Sequence, residues 1–279
     1  MGRKVAFLVL IITALIVCYP ILFILAGSFM GEAEIKNYLL PMLTDSDAFV
    51  TWQLIPEMPT LRYYVELLLD SPEFFRMFWN SVKLVVLILA GQLAAGVPAA
   101  WALAKMKLPF PRALLFLYII LMMMPFQVTM LSNYLVLDTL KLLDTHSAII
   151  LPAVFSTFPV FIMHRFFSSV PEALLEAARI DGAGELLIFV HIGIPLGSGG
   201  IISAMMLGFL EYWNLIEQPL TFLKTKSLWP LSLYLPNISL ENAGIAFVSS
   251  VAAFIPALLI FIGGQDYLEQ GIVASALKE

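Results

Sequence analysis

The chain has 279 residues, of which 61% are hydrophobic and 13% are charged, and its mean hydropathy is +0.93. Soluble domains are about 45–50% apolar and about 25% charged, so a single water-soluble core could not bury this much apolar surface. The net charge of −5 argues against a nucleic-acid-binding protein, which needs a basic face. The single cysteine excludes an intrachain disulfide framework and a multi-thiolate metal site. The composition therefore indicates an integral membrane protein.

Six continuous apolar stretches are each long enough to cross about 30 Å of hydrocarbon as a helix. A membrane strand would instead alternate in polarity over about 10 residues, and these stretches do not. The first stretch follows Arg3 and Lys4 but is too long for a signal-peptide core, so we expect it to be retained. We expect an all-α integral membrane protein in which residues 1–279 form one transmembrane domain. The six predicted spans are residues 5–27, 81–103, 113–135, 148–167, 198–216 and 245–263.

Positive charges near the span ends orient the chain. The short connection after the second span carries Lys105, Lys107 and Arg112, and short loops dominate the positive-inside rule. The first outer loop, residues 28–80, is long and rich in acidic residues. We therefore expect both termini in the cytoplasm, together with a cytoplasmic loop at residues 168–195 and a tail at 264–279.

The sequence gives little support to a catalytic or metal site. No G-x-x-x-x-G-K-[ST] phosphate loop occurs, so the chain is not expected to bind ATP in that manner. The methionines at 122–124 favour adaptable packing beside Pro125 over copper binding. Ser198 could serve an intramembrane serine hydrolase, but no activating group is evident near it. The histidines lie in different segments without metal-ligand spacing: His146, His164 and His191.

The longest cytoplasmic loop, residues 168–195, is the most informative part of the sequence. Ser169 and Glu172 have the spacing of a capping box at a helix start. A short helix is predicted to follow through residue 180, and Gly182 suits the left-handed turn that ends a helix. A second short helix can run over residues 183–190, before Pro195 marks the start of the fifth span.

From the residues alone, three interpretations of this helix–glycine–helix segment remain open. It could lie in the membrane interface, pack on the chain's own bundle or dock onto a partner protein. The small pair Ala177 and Ala178 beside the charged Glu176 favours close approach by another backbone, as when a helix seats in a groove.

Residues 176–196, EAARIDGAGELLIFVHIGIPL, resemble the EAA loop of binding-protein-dependent ABC importer permeases. The pair at 213–214 followed by Pro219, the leucine-rich segment 131–152 and the tail at 270–278 are similar to the maltose-type carbohydrate branch. The resemblance covers residues 80–279 and implies the type I ABC importer permease fold. Members often carry a proline shortly after the position of Pro195, where this chain reads GSGG at 197–200. We expect that difference to make the start of the fifth span more flexible.

The resemblance implies a transporter subunit rather than an enzyme, in the cytoplasmic membrane of a prokaryote. Its EAA loop would couple it to an ATPase dimer, which holds the ATP and magnesium, while this chain binds no cofactor. A second, different permease subunit, an extracytoplasmic solute-binding protein, membrane lipid and a sugar complete the implied partners, and nucleic acid is not among them. The implied coupling residues are Glu176 for the charged contact, Ala177 and Ala178 for the packed face, Asp181 as the cap of the second helix, Gly182 for the turn, and Ala183. The resemblance also implies that Gln270 and Gly271, in the cytoplasmic tail, lie near the ATPase.

Polar residues within the spans are candidates for the solute pathway. Glu211 is the strongest candidate, because an ionisable group at membrane depth should face protein or water. The alternative is an interfacial ion pair for Glu211 and a headgroup anchor for Trp213. Gln92 is expected to stabilise helix contacts instead. The full set of expected pathway residues is Glu211, Trp213, Asn214, Gln127 and Asn133.

Two other transport functions compete with sugar import. A polyamine or glycerol phosphate importer would share the EAA loop but not the tail at 270–278. An ion-coupled carrier would show acidic relays at the membrane midplane and paired broken helices, and the sequence offers Glu211 alone.

Overall fold

The computed structural model describes residues 2–43, 55–234 and 242–276, with side chains described for 4–39, 41, 55–234 and 242–267. Helices dominate the described chain, and short 3₁₀ turns lie at Lys226–Leu228 and Leu231–Leu233. In chain order the helices are α1 (Gly2–Gly27), α2 (Glu32–Leu43), α3 (Arg62–Asp70), α4 (Pro72–Lys105), α5 (Pro111–Met123), α6 (Phe126–Thr139), α7 (Ser147–Val154), α8 (Thr157–Ser168), α9 (Glu172–Ile180), α10 (Glu185–Ile188), α11 (Ile194–Trp213), α12 (Glu217–Phe222) and α13 (Ala243–Ala276).

Among the described residues, five helical segments are long and apolar enough to cross a membrane, and a bent pair raises the number to six. This agrees with the all-α membrane architecture that the composition indicates. The five are Lys4–Gly27, Pro72–Lys105, Ser147–Ser168, Glu185–Trp213 and Ala243–Tyr267.

The third expected span, residues 113–135, is not one continuous helix. It divides into α5 and α6, whose axes differ in direction by 98°. Pro125 starts α6 and Met124 before it is extended, with φ −74° and ψ 118°. A proline lacks the N–H that would continue the helix and pushes its predecessor out of helical geometry. The third span therefore consists of two helices that meet at a sharp bend beside Pro125.

The fourth expected span, residues 148–167, is also interrupted. α7 ends at Val154, Ser156 has φ −57° and ψ 138°, and α8 begins at Thr157. Pro159 lies in the first turn of α8, where its missing N–H costs nothing. In a continuous helix the Pro159 ring would clash with the carbonyl of Phe155, four residues earlier. The helix therefore breaks between Val154 and Thr157.

The outer loop expected at residues 28–80 contains helices. α2, α3 and the first turns of α4 lie within it, and α4 begins at Pro72 rather than near residue 81. Its acidic residues Asp45 and Asp47 lie outside the described residues.

The fifth span begins earlier than expected. A π-helical turn, Phe189–Gly193, joins α10 directly to α11, and the Ile194 N–H donates to the Phe189 carbonyl. Such a wide turn reorganises the hydrogen bonds of a helix locally. Pro195 therefore lies inside one continuous helical segment that starts at Glu185.

The chain divides into two compact units. The first comprises Met1–Phe78 and Leu233–Pro256. Within it, the Ser28 hydroxyl hydrogen-bonds the Tyr64 hydroxyl at 2.8 Å, and Gly244 lies so close to the Tyr63 ring that a Cβ would meet it at 2.2 Å.

The second unit comprises Trp79–Ser232 and Ala257–Glu279. Its main core gathers α4, α8 and α11 around Trp101 and Phe167, whose rings meet edge to face with centroids 5.3 Å apart. Gly197 and Gly200 are buried, and a Cβ on either would lie within 2.6 Å of Phe167 or Phe166. These glycines permit close packing of α11 on α8. The flexibility expected at residues 197–200 stays a prediction.

Candidate functional site

The segment after α8 folds into two helices joined by a tight turn. Gly182 has φ +84°, a left-handed conformation that glycine adopts without a Cβ penalty. The Gly182 N–H donates to the Arg179 carbonyl at 3.1 Å, and the Ala183 N–H donates to the Ala178 carbonyl at 2.9 Å. This pair of bonds is the Schellman arrangement, which satisfies the last carbonyls of α9. In the sequence, Gly182 is the residue that predicts this turn.

Two capping roles expected from the sequence are not formed. The Ser169 hydroxyl donates back to the Phe166 carbonyl at 2.7 Å, and α9 starts from Pro171 without a side-chain cap. Asp181 ends α9, while α10 starts from Gly184, again without a side-chain cap. Because α9 begins immediately after a proline and α10 after a glycine, Ser169 and Asp181 fall at the wrong distances to cap them.

Ion pairs brace the two helices instead. The Arg179 guanidinium contacts Glu172 at 3.0 Å and Glu185 at 2.8 Å. Hydrogen bonds to Glu185 and Glu172 raise the pKa of Arg179. Lys105, nearly buried at the end of α4, donates to the Val170 carbonyl at 2.6 Å and lies 3.7 Å from Glu172. Charged contacts therefore link α9 to both α10 and α4.

α9 presents one face to its own core and the other to solvent. Leu175 is fully buried and Ala178 packs against the same cluster, which belongs to the α4, α8 and α11 core. Glu176 and Ala177 are exposed, and Ile180 is 86% exposed beyond them. Leu186 on α10 is 76% exposed. A charged residue, a small residue and exposed apolar side chains thus share the outer surface of this turn, which we call the α9–α10 knuckle (residues 172–188).

A cavity of about 620 Å³ lies in the second unit, within the size range of ligand sites. It forms where the helices are interrupted: Met124 lies at the break between α5 and α6, and Phe155 and Ser156 lie at the break between α7 and α8. Irregular backbone at membrane depth is tolerated where it lines a cavity. In a continuous helix the backbone polar groups at these positions would be satisfied within the helix. The polar lining residues are Thr129, Asn133, Ser156, Thr157, Glu211, Tyr212 and Gln218.

Of the residues expected in the solute pathway, the structure places Glu211 and Asn133 in this lining. The other three lie elsewhere. Trp213 is buried and stacks on Phe209 with centroids 5.5 Å apart. Asn214 is exposed and donates to the Leu210 carbonyl at 2.9 Å. Gln127 is exposed and donates to Glu217 at 2.6 Å. Trp213 is two residues beyond Glu211 on α11 and therefore lies on a different face of the helix.

Sequence reasoning missed Ser156, Thr157, Tyr212, Gln218 and Thr129 as lining residues. The position of Pro159 marks the α7–α8 break and was the available signal for the first two. Tyr212 is positioned by Gln92, whose amide donates to the Tyr212 hydroxyl at 3.1 Å and to the Ala153 carbonyl at 2.8 Å. Gln92 is 1% exposed, so it holds three helices together in the core, as its place within an apolar span indicated.

The tail candidates Gln270 and Gly271 belong to α13. Their side chains lie outside the described part of the structure, so their expected proximity to an ATPase stays a prediction.

Comparison with known proteins connects these features to a family. A model described as "Binding-protein-dependent transport system inner membrane component" matches residues 92–274. The arabinooligosaccharides transport system permease protein AraQ of Halalkalibacterium halodurans is 26% identical over 95% of this chain and 92% of its own length. The sn-glycerol-3-phosphate transport system permease protein UgpE of Rhizobium meliloti is 25% identical over 98% and 96%.

The fold is also that of a solved transporter. A chain of a bacterial ABC transporter involved in the import of the acidic polysaccharide alginate has a TM-score of 0.79 to this chain. It is 24% identical and covers 95% of this chain and 96% of its own. The family consists of transport components rather than enzymes, and its description implies a binding protein and an ATPase as partners. Because the matched region is well over half of the chain, this protein belongs to the binding-protein-dependent transport system inner membrane components, the multi-pass permeases of ABC importers.

Proposed function

We propose that this permease imports a sugar or oligosaccharide and that the α9–α10 knuckle is its coupling element. The observation that carries the proposal is the knuckle itself. α9 is anchored from beneath by Leu175 and held by Lys105 and Arg179, while Glu176 and Ala177 face outward. A rigid helix with a small, charged outer face suits seating in a groove of another protein.

In this proposal the ATPase dimer closes on ATP and pulls on α9. Because α9 shares a core with α8 and α11, which both contribute residues to the cavity lining, its displacement would move part of that lining. The residues assigned to this contact are Glu176, Ala177, Ala178, Asp181, Gly182 and Ala183. The basic residues at 105–112 support the further proposal that both termini lie in the cytoplasm of a prokaryotic cell.

Sugar as the solute rests on two considerations. Several similar permeases carry oligosaccharide names, among them the AraQ proteins of Halalkalibacterium halodurans and Bacillus subtilis. The cavity also combines hydroxyl and amide side chains with phenylalanine rings, the groups that bind a sugar's hydroxyls and its apolar face. A second permease subunit, different from this one, would complete the cavity.

The test begins with the tagged chain purified in mild detergent from its own membranes, with co-purifying proteins identified by mass spectrometry. An ATPase with a phosphate loop and a second permease are expected. The purified complex is then reconstituted into proteoliposomes with its binding protein, and uptake of labelled malto-, xylo- and arabino-oligosaccharides is measured. A chain that stays alone after cross-linking, or a complex that takes up none of these sugars, would refute the proposal.

A further inference from the structure

The charge of the cavity bears on which solutes can cross it. Glu211 is the one carboxylate among the residues that line the cavity, and no lysine, arginine or histidine is among them. Glu211 lies in the last turns of α11 and is exposed to the cavity space. None of the ion pairs among the described residues involves it. The part of the cavity that this chain lines therefore has one negatively charged side chain and no positively charged one.

Proteins that bind carboxylate or phosphate groups provide arginine or lysine, because charge-assisted hydrogen bonds offset the loss of water. A carboxylate that faces the solute disfavours binding of a carboxylate or phosphate group. Two like charges repel most strongly where the surroundings are poor in water, and a site can reject a wrong ligand in this way. The neutral hydroxyls and amides around Glu211 still bind uncharged hydroxyl-rich solutes.

We infer that Glu211 is a specificity-determining residue that admits uncharged glycans and excludes solutes bearing carboxylate or phosphate groups. The inference rests on the proposed function and narrows its substrate class. It separates this chain from relatives whose names state anionic cargo, such as the glycerol-3-phosphate permease and the transporter of acidic alginate. Glu211 accepts hydrogen bonds from sugar hydroxyls while repelling uronate and phosphate groups.

The charge of the cavity can be measured without knowing the sugar. Cys18, an exposed residue of α1, is replaced by serine, and Ser156→Cys then places a single thiol in the lining. The reaction rates of this thiol with the cationic trimethylammonioethyl and the anionic sulfonatoethyl methanethiosulfonates are compared in the assembled transporter. Each rate is normalised to that of a small free thiol. We expect the cation to react faster.

Glu211→Gln should lower the cation-to-anion rate ratio by about fivefold or more, from a unit charge acting over roughly 8 Å with opposite sign on the two reagents. Glu217→Gln is the matched control, because Glu217 is an exposed neighbour on α12 that pairs with Gln127 outside the lining. It should leave the ratio unchanged. A ratio that Glu211→Gln does not alter, or a thiol that neither reagent reaches, would overturn the inference. If Ser156→Cys fails to fold, Asn133→Cys supplies the thiol.

Transport provides the second readout. In proteoliposomes the wild-type complex should take up a neutral oligosaccharide and not the matching oligogalacturonate, and Glu211→Gln should admit the uronate or lose discrimination at the permease. A wild-type complex that imports no sugar refutes the proposed function, whereas the thiol assay still reports on Glu211. Sugar uptake that is selective in wild type and identical in Glu211→Gln refutes the inference alone.

Discussion

Arg179 and Glu185 form an ion pair across the turn at Gly182, with Nε and Oε1 2.8 Å apart. The same guanidinium contacts Glu172 at the start of α9. Arg179, near the end of α9, therefore links the start of that helix to Glu185 at the start of α10. Surface ion pairs contribute little to stability individually. Their value here is geometric, because they set the angle between α9 and the segment that continues into α11.

Gly182→Ala should weaken the knuckle through backbone strain alone. A Cβ at this position meets no atom within 4 Å, so the cost comes from φ +84° and amounts to about 1–2 kcal/mol. A lower unfolding temperature of the purified protein and reduced ATP-driven uptake are expected, and Gly182→Leu should block uptake while the protein remains inserted.

Gly184→Ala is the matched control, since Gly184 has an ordinary φ of −73° and equally open space around it. It should behave as wild type. If both alanine variants are equally stable and active, the strained turn is not required.

Glu176→Lys should abolish ATPase association without unfolding the permease. Glu176 is exposed, so the effect on the free energy of unfolding should stay within about 0.5 kcal/mol. Co-purification of the ATPase from membranes and the thermal stability of the permease are measured together. Asp138→Lys, at the exposed end of α6, makes the same charge change away from the knuckle and should keep the ATPase bound. Normal association of the Glu176→Lys variant would contradict the coupling role.

Asp144→Asn should loosen the connection between the start of α7 and the segment after α12. The Asp144 carboxylate accepts hydrogen bonds from the Thr225 hydroxyl at 2.6 Å and from the Thr225 and Lys224 N–H groups at 2.8 and 2.9 Å. These bonds, led by that of the Thr225 hydroxyl, lower the pKa of Asp144. Deuterium exchange of a peptide containing residues 224–225 should become about tenfold faster in the variant.

The same contact predicts the direction of a pH effect. Because the folded-state pKa of Asp144 lies below its ordinary value, its contribution to stability is present above that ordinary value and is lost as the pH falls through the lowered pKa. Protection of residues 224–225 should therefore persist at neutral pH and decline in strong acid. Asp138→Asn should leave exchange there unchanged, and unaltered exchange in Asp144→Asn would refute the role of the carboxylate.

Gly197→Ala should destabilise the second unit by about 1–3 kcal/mol through overpacking. A Cβ at Gly197 would lie 2.2 Å from the Phe167 ring, which is itself fully buried and cannot yield easily. Thermal unfolding in detergent measures the loss. Ser198→Ala, one residue along on the exposed side of α11, should be silent both in stability and in uptake. A stable Gly197→Ala protein would show that α8 and α11 can separate, and loss of uptake in Ser198→Ala would favour a catalytic serine.

The knuckle was predictable because its determinants are local. Gly182 specifies the left-handed turn, and the spacing of residues 176–196 resembles a family pattern. The capping roles of Ser169 and Asp181 were wrong, because Pro171 and Gly184 moved the helix starts by a residue or more. The ion pairs of Arg179 were not anticipated, since side chains six and seven positions apart meet only once the turn between them has formed.

The sequence by itself determined the membrane class, the number of apolar segments and the family, because hydropathy and a local motif are properties of contiguous residues. The tertiary structure decided which polar residues share the cavity. Glu211 and Asn133 come from different helices, and they meet beside Ser156 because the breaks near Pro125 and Pro159 redirect the chain. Those directions depend on how α6, α7 and α11 pack, and packing between distant segments leaves no periodic signal along the chain.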